Sequence, residues 1–156
     1  MDLSKATLNT WECFFTERPR NGGILTVSSK TEMLTELLED LSRASQGNVQ
    51  ASVIISRSQG LPICTHFPPD HDPSVVPEED VIAGRATQIE SETRKVFQQL
   101  KRGPFARMLI EGESGYVIIC DAGEESILAV LTTKGANIGY MFFMMARVAR
   151  RIASIL

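Results

Sequence analysis

His66 and His71 lie beside Asp70 and Asp72 in one short stretch of the chain. Imidazole nitrogens and carboxylate oxygens are the donors a metal ion takes, but they must converge, usually through helical or strand spacing. Here no such spacing brings them together, and the segment from Phe67 to Pro77 is rich in Pro and Asp, so an ordinary turn is expected and no metal site. The 3 cysteines, Cys13, Cys64 and Cys120, match no zinc signature and leave one thiol over in any monomeric pairing. Cys64 and Cys120 fall inside apolar runs, where cysteine usually acts as a small hydrophobe. Ser, His and Asp are all present, yet no G-x-S-x-G pattern sets a serine on a strand-to-helix turn; Gly112-Glu113-Ser114-Gly115 lacks that spacing and reads as a hairpin turn. A Walker-A glycine loop is also missing, so binding of GTP through a P-loop is not expected. The chain is therefore expected to carry no catalytic residues, cofactor or metal of its own.

Composition is ordinary for a soluble globular protein. With 43% apolar and 22% charged residues in 156, the chain suits a single domain with a substantial core. A net charge of −3 gives no reason to expect nucleic acid or an anionic membrane as partner. No apolar run approaches the length of about eighteen residues that a membrane span needs. MDLSKATLNTWECFF lacks the basic-then-apolar layout of a secretory signal. A reduced, cytoplasmic protein is the expectation.

The elements that must position these residues follow from periodicity. Residues 1–28 read as an N-terminal extension of unknown role, with the apolar cluster Trp11, Phe14 and Phe15 and the run Ile24–Val27; a main domain is expected over 29–156. Ser29-Lys30-Thr31-Glu32 fits a capping box, and Leu34, Leu37, Leu38 and Leu41 form one apolar helical face. Two strands over 50–57 and 61–67 are joined by Ser58-Gln59-Gly60, a hairpin signal. After the loop, Pro77 to Lys101 reads as a helix: Pro77 suits its first position, and Glu78, Glu79 and Asp80 complement its positive end. Strands over 105–111, 116–121 and 126–132 follow as a meander, and VIIC and ILAVL lack alternation, as central strands covered on both faces do. Arg107, Glu111 and the preceding Pro104 suit an edge strand. A last helix over 138–156, capped by Asn137, buries Met141, Phe142, Met145, Val148, Ala149 and Ile152, with Arg147, Arg150 and Arg151 outside.

The helix from Pro77 to Lys101 is the one element with an unexplained face. Ile82, Ala86, Ile89, Val96, Phe97 and Leu100 recur at helical spacing and are expected to hold the sheet. The neighbouring face, Ala83, Thr87, Glu90 and Arg94, is small and then charged.

From Ser29 onward the chain resembles the Roadblock/dynein light-chain family, the MglB-type regulators of Ras-like small GTPases. The matching stretches are LLEDLSRASQGNVQASVIISRSQGLPICTHFP, EGESGYVIICDAGEESILAVLTTKGANIG and GYMFFMMARVARRIASIL. No single motif is diagnostic; what is specific is the ordered set SRSQGLPI, EGESGYVII and ESILAVLTTKGANIG followed by an Arg-containing helix. The resemblance implies an α/β (α+β) fold of layered, profilin- or longin-like architecture. It has a five-stranded, mostly antiparallel sheet in the order 2-1-5-4-3, the first and last helices on one face and the middle crossover helix on the other. It also implies a homodimer in which middle helices pack together and third strands pair across a two-fold axis. Carried onto this chain, the interface would comprise Ala83, Ala86, Thr87, Glu90, Arg94, Phe105, Arg107 and Leu109.

The function implied is a homodimeric adaptor or regulator of a Ras-like small GTPase, either a GTPase-activating or a scaffolding protein, and not an enzyme in its own right. Such regulators are thought to act by rearranging residues of the GTPase, so no arginine finger is assigned; Arg147, Arg150 and Arg151 read as a solvated helix face. The alternative is a small-molecule sensing domain of PAS- or profilin-like architecture, which needs a cavity between sheet and helices. The dense Leu, Ile, Val and Met content argues for a filled core instead.

Overall fold

A computed structural model of the chain describes residues 27–156. The aromatic cluster at Trp11, Phe14 and Phe15 lies outside the described residues, as does the Ile24–Val27 run up to Val27. Eight elements follow in order: α1 (Val27–Ala44), β1 (Val49–Ser56), β2 (Pro62–His66), α2 (Glu79–Gln99), β3 (Arg107–Glu111), β4 (Gly115–Asp121), β5 (Ser126–Thr133) and α3 (Ile138–Ile155). They form a five-stranded antiparallel sheet in the order β2-β1-β5-β4-β3, as the resemblance implied.

Local chemistry accounts for most boundaries. Gly60 adopts φ +67 in the β1–β2 turn, where its N–H donates to the Ser56 carbonyl at 2.8 Å, a backbone conformation that glycine takes at no steric cost. Asn137 caps α3 by accepting from the Tyr140 N–H at 3.0 Å. Two expected starts are shifted. The first helix begins at Val27, which places Ser29 inside it and not at its cap. The middle helix begins at Glu79 with Glu78 at the cap position, so Pro77 precedes the helix; its fixed φ serves the turn leading in.

Two cores lie on opposite faces of the sheet. α1 and α3 close one face: Leu34, Leu38 and Leu41 meet Met141, Met144, Met145, Val148 and Ile152 over Ile54, Ile118, Leu128 and Val130. On the other face α2 packs Ile82, Ala83 and Ala86 on Val53, Ile55, Ile119, Ile127 and Ala129. β1, β4 and β5 are covered on both sides, which is why their apolar runs do not alternate.

Candidate assembly surface

The sequence placed Ile89, Val96 and Leu100 against the sheet and Ala83 and Glu90 outside. Ile82, Ala86 and Phe97 do lie on the sheet and Arg94 outside, but the helix is rolled so that Ala83 and Glu90 join the buried side and Ile89, Val96 and Leu100 leave it. Ala83 is 0% exposed and Ala86 is buried with it, both on the sheet. Thr87 is half-buried beneath Gly60, where an added Cβ would sit 3.4 Å from the Thr87 hydroxyl. Glu90 is 2% exposed. Small residues let α2 approach the sheet closely, and the larger apolar side chains are left outside: Leu100 is 59% exposed and Val96 45%, with Val81 and Ile89 on the same side.

Glu90 is buried because it has a partner that the helix itself does not supply. Arg57, at the end of β1, directs one guanidinium nitrogen to Glu90 and the other to Asp121 at the end of β4. That second nitrogen also donates to the carbonyls of Gly123 at 3.0 Å and Ser126 at 3.2 Å. Arg94 adds a longer contact to Glu90, 3.6 Å away. This ion cluster ties α2 to both turns at one end of the sheet, and a buried carboxylate without it would be strongly disfavoured. The bond from Arg57, 33 residues away, has no signature in the local spacing of α2.

The expected site residues thus separate. Ala83, Ala86 and Glu90 are consumed inside the chain, and Phe105 is buried beside Phe97 with ring centroids 6.2 Å apart. Arg94, Arg107 and Leu109 remain at the surface. β3 is the terminal strand, paired only to β4, with Leu109 38% and Ile110 37% exposed. Register fixes their faces. Ile110 lies opposite Val117 and Met108 opposite Ile119 on the α2 side, whereas Leu109 lies opposite Ile118 on the α1/α3 side. Arg107 stacks over the Phe142 ring at 4.7 Å, and Glu111 pairs with Lys134.

The loop that drew attention as a metal donor set is organised by its own turns. His71 stacks on Phe67 and its Nδ1 lies 3.0 Å from the Pro68 carbonyl. Asp72 accepts from the N–H and hydroxyl of Ser74 at 2.9 and 2.7 Å, bonds that hold its carboxyl below the usual range. Among the described residues no three His, Cys, Asp or Glu side chains gather as a metal set. Burial raises the Cys64 thiol and pushes Cys120 up to about 12, the setting of inert thiols and not of nucleophiles. Two surface clefts flank the β3 end of the sheet. One, of about 920 Å³, is lined by Arg57, Arg94, Lys95, Lys101, Asp121 and Glu124. The other, of about 420 Å³, lies between β3–β4 and α3 over Cys120, Phe142 and Met145.

A family model described as the Roadblock/LC7 domain matches residues 33–132. The chain belongs to the Roadblock/LC7 family. An uncharacterized protein of Methanocaldococcus jannaschii, MJ1340, is 25% identical over 123 residues, which cover 79% of this chain and 99% of that protein. The gliding protein MglB of Thermus thermophilus superposes with a TM-score of 0.74 at 20% identity, over 81% of this chain and 90% of that one. An MglB structure with a tetrameric arrangement superposes equally well, at TM-score 0.74, 20% identity and the same coverage. At such identities these structures speak for the fold. Among the described residues no helix is long and apolar enough to cross a membrane.

Proposed function

We propose that this Roadblock protein is a homodimeric adaptor or regulator of a Ras-like small GTPase, working in the cytoplasm without an active site of its own. The observation that carries the assembly half of this reading is the second apolar stripe of α2. Val81, Ile89 and Val96, with Leu100 at the helix's C-cap, are exposed on the same side of the sheet as Ile110 of the edge strand β3, and Thr93 of α2 reaches Met108 of that strand at 3.8 Å. An isolated soluble protein gains nothing from such a surface, and a second copy covering it would remove it from water. The interface we propose therefore uses this stripe together with Arg107, Leu109 and Ile110, in place of Ala83, Ala86, Glu90 and Phe105. The GTPase half rests on the resemblance to MglB-type regulators, and the tetrameric arrangement named for one MglB shows that the fold accommodates assembly in that relative.

Light scattering tests the first half. Val96→Glu with Ile89→Arg is expected to give a folded monomer where the native protein is a dimer. Ala83→Arg, which drives a charge into the core, is expected to unfold the chain instead. A folded Ala83→Arg monomer, or an unchanged dimer after the stripe substitutions, would refute the assigned face. For the second half, single-turnover GTP hydrolysis by a cognate GTPase is measured with and without the protein. Acceleration supports an activator, nucleotide-dependent binding alone supports a scaffold, and neither refutes the GTPase reading.

A further inference from the structure

The backbone of β3 already specifies which of its residues can meet a partner strand. In antiparallel pairing, hydrogen-bonded and non-bonded residues alternate along a strand. Asp121 N–H donates to the Ala106 carbonyl at 2.8 Å, and Gly112 N–H donates to the Gly115 carbonyl at 2.9 Å. The residues of β3 that share this parity, Met108 and Ile110, therefore turn their N–H and C=O towards β4. Arg107, Leu109 and Glu111 turn theirs to the open edge. A second copy of β3 related by a two-fold axis can bond only through these three, so a slip of one residue is excluded and registers differ by steps of two.

Side-chain chemistry then selects among the permitted registers. With Leu109 opposite Leu109 of the second copy, Arg107 of each copy faces Glu111 of the other, twice per dimer. On the α2 side, Met108 faces Ile110 of the other copy, apolar against apolar. A step of two in either direction sets Leu109 against a charge and leaves fewer pairs. Among the described residues no carboxylate pairs with Arg107; its guanidinium is held over Phe142, at the edge. Glu111 is held by Lys134 on the same face of the sheet, which leaves a carboxylate its remaining lone pairs.

We infer that β3 pairs with β3 of a second copy in the register centred on Leu109, and that the two crossed Arg107–Glu111 pairs determine which chains can pair at this edge. The inference rests on the dimer proposed above and adds its register and selectivity. Backbone bonds supply attraction that any strand could share, whereas crossed charges discriminate: a copy carrying like charges at these positions is repelled twice. A chain with a basic residue at one end of its third strand and an acidic one at the other would be admitted.

The test uses the full chain and sedimentation equilibrium. Arg107→Glu and Glu111→Arg, both at exposed positions, are each expected to weaken the dimer by roughly tenfold or more, as two exposed pairs become two repulsions. The double variant Arg107→Glu/Glu111→Arg is expected to regain native affinity. An equimolar mixture of the two single variants is expected to form the mixed dimer in preference to either homodimer, read by native mass spectrometry. In a Cys13→Ser background, Leu109→Cys is expected to cross-link to itself on mild oxidation, and Met108→Cys and Ile110→Cys are not, because only the residue on the two-fold meets its own copy at disulfide distance. If the native protein dimerises but the single variants keep full affinity, or the double variant stays weak, the charge rule is wrong. Cross-linking at 108 or 110 in place of 109 overturns the register. A native protein that is monomeric overturns the dimer beneath both.

Discussion

Removing Arg57 tests whether α2 is held in its rotation by the buried ion cluster. Arg57 is the principal partner of Glu90, whose side chain is 3% exposed; without it Glu90 keeps only Arg94, 3.6 Å away. Deleting one member of a buried pair strands the other, at a cost of about 3–5 kcal/mol. Arg57→Ala should therefore lose about 4 kcal/mol, the middle of that range, with the two carbonyl contacts at Gly123 and Ser126 going as well. Glu90→Ala should cost less, about 2 kcal/mol, since Arg57 keeps Asp121 and both carbonyls. Asp121→Asn should cost under about 1 kcal/mol because Asp121 is exposed to solvent. Urea unfolding at one fixed protomer concentration reads these differences, and in thermal scans the Arg57→Ala loss corresponds to a drop of roughly 8–16 °C. The double variant Arg57→Met/Glu90→Leu removes both charges and should recover much of the loss, giving a coupling of at least about 1 kcal/mol in the cycle. If Arg57→Ala and Glu90→Ala each cost less than about 1 kcal/mol and simply add, the cluster does not hold α2 and the reasoning fails.

Two further outcomes follow from burial and backbone geometry. Cys120 is pushed up to about 12 chiefly by burial, with Asp121 adding to the rise, against 9.0 for a free thiol. The fold thus favours the neutral form: this contribution is complete below pH 9 and declines as pH rises towards 12, by about 1.4 kcal/mol per pH unit. Cys120→Ala should show a shallower alkaline loss of stability in the same unfolding assay, and an identical slope would contradict the assignment. At Gly115 an added Cβ would collide with the Thr132 carbonyl oxygen of β5, so Gly115→Ala should destabilise by about 2 kcal/mol or more. Gly112→Ala, whose Cβ meets only the Gly115 carbonyl at 3.4 Å, should cost under about 1 kcal/mol, and equal losses at the two positions would refute the contact.

The succession of helices and strands was legible because apolar runs and the turn chemistry between them mark it, whereas the strand order β2-β1-β5-β4-β3 and the faces the helices cover were implied by the family resemblance. Gly60 at the hairpin and Asn137 at the helix cap mark boundaries by local bonds that the sequence displays. The rotation of α2 was not legible. Its apolar residues fall on two adjoining stripes, and ranking them by size puts Ile89, Val96 and Leu100 inside and Ala83 outside. The sheet selects otherwise, since close approach favours alanine and a carboxylate can be buried where a guanidinium reaches it. That guanidinium belongs to a residue distant in sequence. The available signal was a pair of misfits: Arg57, two residues past the buried run Val53–Ile55, and Glu90 among the apolar residues of α2. Two unmatched opposite charges in otherwise apolar elements are a reason to bring those elements together.

The same ion cluster links stability to assembly. On the α1/α3 side two helices close the sheet, but on the other side α2 lies alone and rests chiefly on β1, β2 and β5. The β3 end of that face is left with Ile110 exposed and Met108 half-covered. Ile82 is the larger side chain that α2 buries on the sheet, but Ala83 and Ala86 beside it do little to fix the helix's roll, because alanine presents nearly the same small surface in neighbouring rotations. Glu90 supplies what they lack, a directional contact that holds at one rotation. In that rotation Val81, Ile89, Val96 and Leu100 stand together on the open side. Had α2 rolled to bury its larger residues, as size alone favours, Glu90 would leave Arg57 and the exposed face would become small and polar. A buried charge inside the chain therefore decides that the outer face is apolar, and so what kind of surface can cover it.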